Sequence, residues 1–357
     1  MRIVQIIDSL EVGGAERMAI NFANALSNEI NFSGLVATRK EGDLKSKIEN
    51  NVNYFFLNRK STVDINAVFR LKAYCKKNDV EILQPHSSSY FIAILVKVLY
   101  PKIQIIWHDH NGLSQFLRSQ KWVLLKISSF FFKGIIAVNH QLKNWAIKEL
   151  NCKNVIYLPN FTKNENSYAK ETKLMGNEGK RITCLANLRD QKNHFLLLRV
   201  AKKLQITNPD WTFHLVGKDF EDKYSKELKT SIFSNQLEKT VYLYGTRNDI
   251  VNILNQTDIA ILTSKSEGLP VSLLEYGLNK MAVIVTKVGE IPLIIEDGVN
   301  GFSIPSESDE LFYESLITLI EKPPLRLNFG NALYRTIVNN NSESAIIREY
   351  INWLQEI

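Results

Sequence analysis

The sequence has few cysteines: Cys75, Cys152 and Cys184 are the three in 357 residues, and no two of them have Cys-x-x-Cys spacing. A disulfide framework and a cysteine-based metal site are therefore not expected. The first residues carry acids soon after a short apolar run and no small-residue cleavage site, so we expect a strand there and not a signal peptide. Together these features favour the reducing cytoplasm.

No stretch of the sequence contains the roughly 18 uninterrupted apolar residues that a membrane-spanning helix needs. The closest is WVLLKISSFFFKGIIAV, residues 122–138, which Lys126, Lys133 and Gly134 interrupt. Basic residues beside aromatic ones suit contact with an anionic bilayer, whereas a buried helix whose lysines reach out to water is the alternative. Peripheral attachment to the inner face of the cytoplasmic membrane therefore stays open.

The net charge is +7, from 44 basic and 37 acidic residues, and the isoelectric point is near 9.0. Such a balance suits nucleic acid, an anionic membrane or a phosphorylated substrate. The basic residues are spread along the chain, and no recognition helix, zinc spacing or aromatic RNA-binding motif occurs. We therefore do not expect a nucleic-acid partner.

Short β-rich runs alternate with helical patterns in both halves of the chain, which predicts an α/β fold with parallel sheets covered by helices. The length suggests two domains. The polar stretch 164–180 has no sustained apolar period and is the expected linker between domains at 1–163 and 181–340. A final helix is expected over 341–357, where it could pack back on the first domain. Ligands of such sheets bind beyond the carboxyl ends of the strands, so we expect a site between the domains.

The stretch SEGLPVSLLEYG, residues 266–277, holds two glutamates eight residues apart around a predicted helix start. Pro270 suits the first turn, so Glu267 is expected in the loop before the helix and Glu275 in its second turn. Gly268 permits close approach to the free amides of the helix N-terminus, which attract phosphate. An acid, an anion site and a second acid suit an extended sugar-diphosphate-ribose ligand better than a metal.

Several motifs occur in an order that resembles the retaining glycosyltransferases of family four. Those enzymes have the GT-B fold, in which two Rossmann-like, doubly wound domains face each other across a cleft. The motifs extend over nearly the whole chain: GGAER (13–17), AVNHQL and LPN (within 137–160), ANLRDQKNH (186–194), HLVGKD (214–219), LYGTRNDI (243–250), DIAILTSKSEGLPVSLLEYG (258–277) and VGEIPLIIEDGVNGFSIP (288–305). EGLP followed by LLE is the two-glutamate motif of that family.

The resemblance implies roles for residues in these motifs. Glu267 would contact hydroxyl groups of the donor sugar and take part in catalysis, and Glu275 would bind the ribose. Lys192 would neutralise the leaving diphosphate, and a cation there opposes charge that grows in the transition state. The other implied donor contacts are Gly13, Gly14, Arg189, Arg247, Gly268, Leu269 and Pro270.

One position departs from the commoner wording of the family, which is Gly-Arg-Leu followed three residues later by Lys. Asn187 stands where Arg is usual, and Arg189 lies two residues later. We expect Arg189 to substitute in catalysis and donor binding, while a solvated loop charge is the alternative. Gly13 and Gly14 precede the first helix, where a plain tight turn is the alternative to a donor contact.

Histidines follow two predicted strands of the first domain. His108, Asp109 and His110 lie in WHDHNG, residues 107–112, and His86 follows the strand before. These four are the acceptor-side candidates, and His108 and His110 are also candidates for catalysis. His108 fits the matching family histidine better, and a structural role for His86 is equally open. A zinc site competes with this interpretation, but HExxH spacing and a clear third ligand are missing.

The resemblance implies a metal-independent, retaining, hexosyltransferase-type enzyme without a cofactor. It would move a sugar from a nucleotide-diphosphate donor, with UDP as the first choice, to an acceptor hydroxyl. No Asp-x-Asp metal motif occurs, so positive groups and the helix terminus would stabilise the leaving diphosphate. The basic surface suits a lipid-linked glycan acceptor in bacterial capsule, lipopolysaccharide or O-antigen synthesis. A nucleotide-sugar 2-epimerase of the same architecture and, because of Asn187, a non-catalytic nucleotide-sugar-binding protein are the alternatives.

Overall fold

A computed structural model describes residues 1–110, 120–161 and 170–357, with only the backbone described at 120–122. The chain divides into two compact units. The first unit comprises Met1–Phe161 together with Glu343–Ile357, and the second comprises Thr162–Ser342. Each described part is a parallel sheet covered by helices, so the expected α/β class and its two Rossmann-like domains are confirmed.

The first unit is built on a seven-stranded sheet whose described pairs are all parallel. Its order is β3-β2-β1-β4-β5-β6-β7, so the chain reverses direction across the sheet between β1 and β4, the position where such sheets bind ligands. The strands are β1 (Arg2–Ser9), β2 (Phe32–Lys40), β3 (Asn53–Phe56), β4 (Ile82–Pro85), β5 (Gln104–Asp109), β6 (Gly134–Ala137) and β7 (Val155–Tyr157).

Helices cover this sheet because their apolar faces are buried against it. In the first of them, Met18, Phe22 and Leu26 recur at helical spacing and are fully buried. Two helices are capped by a side chain at the N-terminus, from Asp64 and from Asn139. The helices are α1 (Gly14–Leu26), α2 (Ile65–Lys77), α3 (Tyr90–Leu99), α4 (Gln120–Ser128) and α5 (His140–Glu149), with α13 (Glu343–Glu356) returning from the end of the chain.

Helix α13 packs on α1 within the first unit. The ring of Tyr350 meets Phe22 edge to face at 5.4 Å, and Tyr350 is fully buried. A Cβ added at Gly134 would lie 2.6 Å from the Trp353 ring, so this helix approaches the start of β6 closely. Residues more than 250 positions apart in sequence therefore share one core.

The second unit has a six-stranded parallel sheet of order β10-β9-β8-β11-β12-β13. Here the reversal falls between β8 and β11. The strands are β8 (Arg181–Leu185), β9 (Thr212–Val216), β10 (Val241–Gly245), β11 (Ile259–Leu262), β12 (Ala282–Thr286) and β13 (Phe302–Ile304). The helices are α6 (His194–Thr207), α7 (Lys223–Ser234), α8 (Ile250–Leu254), α9 (Val271–Leu278), α10 (Ile291–Ile294), α11 (Asp309–Glu321) and α12 (Pro323–Asn340).

The expected linker, 164–180, differs from the structure in its later part; its first residues, 164–169, lie outside the described residues. Thr172 donates from its amide and hydroxyl to the buried carboxylate of Asp249, at 2.7 and 2.8 Å. The side chain of Asn252 donates to the Thr172 carbonyl at 2.7 Å. Burial alone would raise the pKa of Asp249, but these bonds outweigh it and hold that pKa below its usual range. The segment from residue 170 is therefore fastened to α8.

Candidate functional site

Two loops of the second unit meet where β8 and β11 end. These strands are parallel neighbours, so their carboxyl ends lie at the same edge of the sheet. The hydroxyl of Thr263 donates to the Lys192 carbonyl at 2.9 Å. Gln191 accepts from the Lys265 amide at 2.8 Å and donates to the Ser266 carbonyl at 2.7 Å. The loop that carries Lys192 is thereby fixed against the loop that carries Glu267.

Lys192 and Glu267 form an ion pair in this corner. The Lys192 Nζ lies 2.5 Å from Glu267 Oε1, and the Ser264 hydroxyl donates to the same oxygen at 2.6 Å. The Glu267 side chain is 6% exposed and that of Lys192 is 21% exposed. Two charges this sheltered from water require each other, because either one alone would lose hydration without compensation. A ligand that separated them would have to offer each a new partner.

Helix α9 follows directly, with Pro270 at its N-cap and Glu275 in its second turn. Gly268 lies in the loop between Glu267 and the helix, so the expected placement of this motif agrees with the structure. Gly268 and Glu275 are partly exposed, whereas Leu269 and Pro270 are buried. The N-terminus of α9 therefore begins four residues after Glu267, which makes this corner suitable for an anionic group.

Two further residues hold this corner, and the sequence analysis did not identify them. Gly289 has φ +57, and a Cβ on it would lie 2.0 Å from the Glu267 carbonyl oxygen, so only glycine fits there. The buried Tyr276 hydroxyl accepts from the Leu185 amide at 2.7 Å and lies 3.3 Å from the Ile261 carbonyl. It therefore ties α9 to the ends of β8 and β11. The positive φ of Gly289 has no signature in a single sequence.

The structure places the other donor candidates of the second unit nearer to solvent. Arg189 is exposed, and its guanidinium lies 4.5 Å from the centre of the Phe220 ring. The Asn187 side chain accepts from the Lys218 amide at 2.8 Å, so it braces the neighbouring loop. Arg247 is exposed after β10 and donates to the Thr246 carbonyl at 2.9 Å. The Lys192 amide donates to the Arg189 carbonyl at 2.9 Å, so Arg189 adjoins the pair through its backbone while its guanidinium lies over Phe220.

At the turn before α1, a carboxylate occupies the space beside Gly13. Gly13 is the N-cap with an extended φ of −167°, so neither glycine is required for its backbone angles. A Cβ at Gly13 would lie 2.2 Å from Glu16 Oε2, whereas one at Gly14 would meet nothing within 4 Å. A phosphate at this turn would first require the Glu16 side chain to turn away.

The acceptor-side candidates gather at the ends of β4 and β5 in the first unit. His86 and His108 form a β-bridge, and Asp109 is buried at the last position of β5. The rings of His108 and His110 lie 4.0 Å apart. The structure thus brings the rings of His86, His108 and His110 together, and their proposed chemistry rests on the contacts that follow.

A chain of hydrogen bonds fixes the orientation of these rings. Gln84 Oε1 accepts from the Tyr350 hydroxyl at 2.5 Å and from Gln5 Nε2 at 3.1 Å. The amide nitrogen of Gln84 then faces His108 Nδ1 at 3.1 Å and donates to it. His108 therefore carries its proton on Nε2. That nitrogen is buried and finds no hydrogen-bond partner among the described residues.

The protonated nitrogen of His86 is also determined by its hydrogen-bond partners. His86 Nε2 donates to Gln5 Oε1 at 2.7 Å, which leaves His86 Nδ1 to accept from His110 Nε2 at 2.8 Å. Burial lowers the pKa of His86 and of His108 well below the usual range, and the nearby imidazoles lower both further. Burial lowers the pKa of His110 to about 3. These rings are therefore neutral at pH 7 and act as hydrogen-bonding groups.

The same three rings could each offer a nitrogen to a metal, since the ligand atoms of His86, His108 and His110 lie within 4.8 Å of one another. His86 is the third ligand that the sequence did not reveal. The hydrogen bond from His110 to His86 competes with metal binding, because a metal needs the lone pair that this bond uses. The geometry therefore fits the neutral hydrogen-bonded cluster without an ion.

Comparison with known families divides the chain much as the structure does. Residues 12–164 match the model described as Glycosyltransferase Family 4, and residues 166–336 match the one described as Glycosyl transferases group 1. The amylovoran biosynthesis glycosyltransferase of Erwinia amylovora is 25% identical over 351 residues, covering 96% of each chain. The UDP-Gal:alpha-D-GlcNAc-diphosphoundecaprenol alpha-1,3-galactosyltransferase of Escherichia coli is 24% identical, covering 90% of this chain and 88% of its own.

Solved structures share the fold. HepE of Anabaena, crystallised with UDP and glucose, superposes with a TM-score of 0.83 at 18% identity over all of both chains. A glycosyltransferase from Rickettsia africae gives 0.75 at 17% identity and covers 99% of this chain and 98% of its own. At these identities the likeness is one of fold, and the fold is GT-B.

Proposed function

Because this chain belongs to glycosyltransferase family four, we propose that it transfers a sugar from UDP to a hydroxyl of a lipid-diphosphate-linked glycan, with retention of anomeric configuration. The Escherichia coli relative named above has a UDP-sugar donor and a diphosphoundecaprenol acceptor in its name. Two further relatives act in capsule and O-antigen synthesis by name. They support a surface polysaccharide as the product.

The observation that carries the proposal is the sheltered pair of Lys192 and Glu267 beside the N-terminus of α9. When the donor binds, its diphosphate takes over the Lys192 ammonium and the first-turn amides of α9. Glu267 then accepts hydrogen bonds from hydroxyls of the sugar, and Glu275 from the ribose. Each charge of the pair thus exchanges its present partner for one on the donor.

The proposed reaction breaks the bond between the anomeric carbon and the diphosphate oxygen. The acceptor oxygen forms the new bond on the same face, and its proton passes to the departing diphosphate. Negative charge grows on that diphosphate in the transition state, so Lys192 and the helix terminus lower the barrier. Arg189, Arg247, Gly13 and Gly14 complete the donor contacts. No metal is required in this scheme, because the chain's own positive groups meet the charge.

The acceptor side of the proposal uses the cluster at the ends of β4 and β5. His108 presents Nε2–H, a donor with no described partner, which suits an oxygen of a sugar or phosphate. Gln84 orients the His108 ring, and burial beside the imidazoles of His86 and His110 keeps it neutral. Asp109 completes the proposed acceptor side. In the described residues no helix is long and apolar enough to cross a membrane. Because the proposed acceptor is lipid-linked, we propose peripheral contact with the inner face of the cytoplasmic membrane.

Binding of the donor is tested by thermal shift against a panel of nucleoside diphosphates. We expect UDP to raise the melting temperature most, since a ligand selective for the folded state stabilises it. Lys192→Ala and Glu275→Ala should abolish this rise, whereas the exposed Lys202→Ala and Glu238→Ala should retain it. An equal rise in all four variants would contradict the proposed donor site.

Turnover is tested by UDP release from UDP-sugars with pooled lipid-diphosphate glycans as acceptors. We expect turnover to persist in a chelator and the anomeric coupling of the product to match that of the donor. Lys192→Ala and Glu267→Ala should each lose at least about a hundredfold in rate. Loss of turnover on chelation would contradict the metal-free scheme. An inverted product would contradict retention.

A further inference from the structure

Five large apolar side chains project into solvent from α4 and the turn that follows it. We name Val123, Leu124, Ile127, Phe130 and Phe131 the apolar ridge. Ile127 is 56% exposed and Phe130 is 70% exposed, and the other three are also exposed. Scattered exposed apolar residues are normal, but five within nine positions form a patch that soluble surfaces usually avoid.

Buried side chains and hydrogen bonds hold the segment that carries the apolar ridge in place. On the other face of the same segment Leu125 and Phe132 are buried, and the Phe132 ring stacks on Trp107 with 5.7 Å between centroids. Asn151 donates from its side chain to the Lys126 carbonyl at 2.7 Å and from its amide to the Ser129 hydroxyl at 2.8 Å. Exposure of the ridge is therefore a consequence of packing and not of a loose helix.

The surroundings of the apolar ridge are basic. No acid occurs in residues 120–134, where Lys126 and Lys133 lie within and just after the ridge. The segment that braces it carries Lys148 and Lys153 against the single acid Glu149. The side chain of Asn154 donates to the Lys133 carbonyl at 2.8 Å, which keeps this segment beside the ridge. Apolar groups bordered by lysines complement an anionic lipid surface.

We propose that the apolar ridge is the surface by which this protein docks on an anionic lipid bilayer. The inference rests on the proposed lipid-linked acceptor, which is reached at such a bilayer. Each aromatic and aliphatic side chain of the ridge enters the boundary between headgroups and acyl chains, and the lysines remain at the headgroups.

A second copy of the chain fits this surface less well. A symmetric pair would bring the same lysines of both copies together, and like charges oppose such contact. Five partly exposed side chains also offer less than the roughly 800 Å² that each partner buries in a stable interface. A bilayer needs no such area, because apolar insertion and headgroup charge act together.

The test is co-sedimentation of the full chain with vesicles of phosphatidylcholine and phosphatidylglycerol. We expect binding to mixed vesicles, weaker binding to phosphatidylcholine alone, and weakening by salt. Ile127→Ser/Phe130→Ser should lower the partition coefficient by about tenfold or more. The matched control is Ile206→Ser/Phe233→Ser, which alters residues 80% and 73% exposed in the second unit and should bind as the parent does.

Two variants, each with two lysines replaced, complete the experiment. Lys133→Gln/Lys153→Gln should weaken binding to mixed vesicles, whereas the exposed Lys226→Gln/Lys239→Gln should not. Equal binding by the ridge variant and its control would overturn the inference. So would a parent that is dimeric in sedimentation velocity and becomes monomeric in the ridge variant. The UDP-induced thermal shift, measured on the same variants, reports separately on the proposed function.

Discussion

Single hydrogen-bonding groups determine which ring nitrogens of the histidine cluster carry protons. The Tyr350 hydroxyl lies two hydrogen bonds away from His108, through the side chain of Gln84. Without that hydroxyl, Gln84 loses one of the two donors that fix its amide orientation. Tyr350 is thus a positioning residue for His108, although 242 residues separate them in the sequence.

We predict that Tyr350→Phe lets the His108 proton distribute between Nδ1 and Nε2. Long-range nitrogen–proton NMR of the imidazoles should then show mixed tautomers in place of a single one, and stability should fall by about 1 kcal/mol for the lost hydrogen bond. Tyr313→Phe removes a hydroxyl that contacts Thr207 and serves as the control. An unchanged His108 signature in Tyr350→Phe would refute the relay.

Substitutions at Gly289 and Gly298 distinguish the cost of backbone strain from the cost of a steric clash. Gly289→Ala places a Cβ against the Glu267 carbonyl and also requires a left-handed backbone, whereas Gly298→Ala requires only the latter, at φ +76 with nothing within 4 Å. We predict that Gly298→Ala costs about 1 kcal/mol in urea unfolding and that Gly289→Ala costs more and weakens UDP binding. Equal losses in stability and an unchanged UDP affinity would show that the close approach is unimportant.

At the scale of elements, the carboxylate of Asp249 joins an irregular segment to α8. Asp249→Ala leaves the amides of Glu171 and Thr172 without their acceptor, so we predict a loss of about 1–3 kcal/mol in unfolding free energy. The lowered pKa of Asp249 means that its stabilisation is present above the ordinary Asp pKa and is lost as the pH falls through its lower native value. Asp210→Ala, at an exposed ion pair with Lys180, should cost little. Comparable losses in both variants would contradict this account.

Elements with a strong local pattern were predictable, and those held by distant contacts were not. AVIVT and GIIA are continuous apolar runs because parallel strands are buried on both faces, so β12 and β6 stand out in the sequence. The strand β3 has no such signature, since NYFF is short, half-exposed and at the sheet edge. The polar residues after 170 read as a linker because their partners lie more than 70 positions away.

The candidate site likewise contains residues that local sequence motifs predicted and contacts that they did not. Lys192, Glu267 and Glu275 stand in motifs whose spacing is local, and the structure brings the first two into contact. The links from Gln5 to His86 and from Tyr350 to Gln84 join segments far apart in the chain, and no local pattern encodes them. Sequence therefore indicated which residues carry charge, while the proton positions required the packed structure.

Over the whole molecule, buried histidines make stability depend on pH. His86, His108, His194 and His214 are buried, and burial lowers the pKa of each, to about 4 for His194 and about 3 for His214. Once unfolded, each takes up a proton near pH 6.5, so acid favours the unfolded chain. The histidines therefore do not reduce the free energy of unfolding above pH 6.5, and they reduce it increasingly as the pH falls below that value.

We predict that the melting temperature changes little between pH 7 and pH 6.5 and falls from there to pH 5. Each buried histidine lowers the free energy of unfolding by up to about 1.4 kcal/mol per pH unit below 6.5. His214→Gln should flatten this dependence. Calorimetry over that range compares this variant with the parent. A melting temperature that is flat between pH 7 and pH 5 would be incompatible with neutral buried imidazoles.

The packing of α13 in the first unit also affects when that unit can fold during translation. Residues 343–357 are translated after the entire second unit, so the first unit cannot complete its core until they are made. Until they emerge, Phe22 and Gln84 lack the Tyr350 side chain that covers one and bonds the other. A nascent chain paused before residue 343 would therefore offer chaperones an open patch on its earliest-made half.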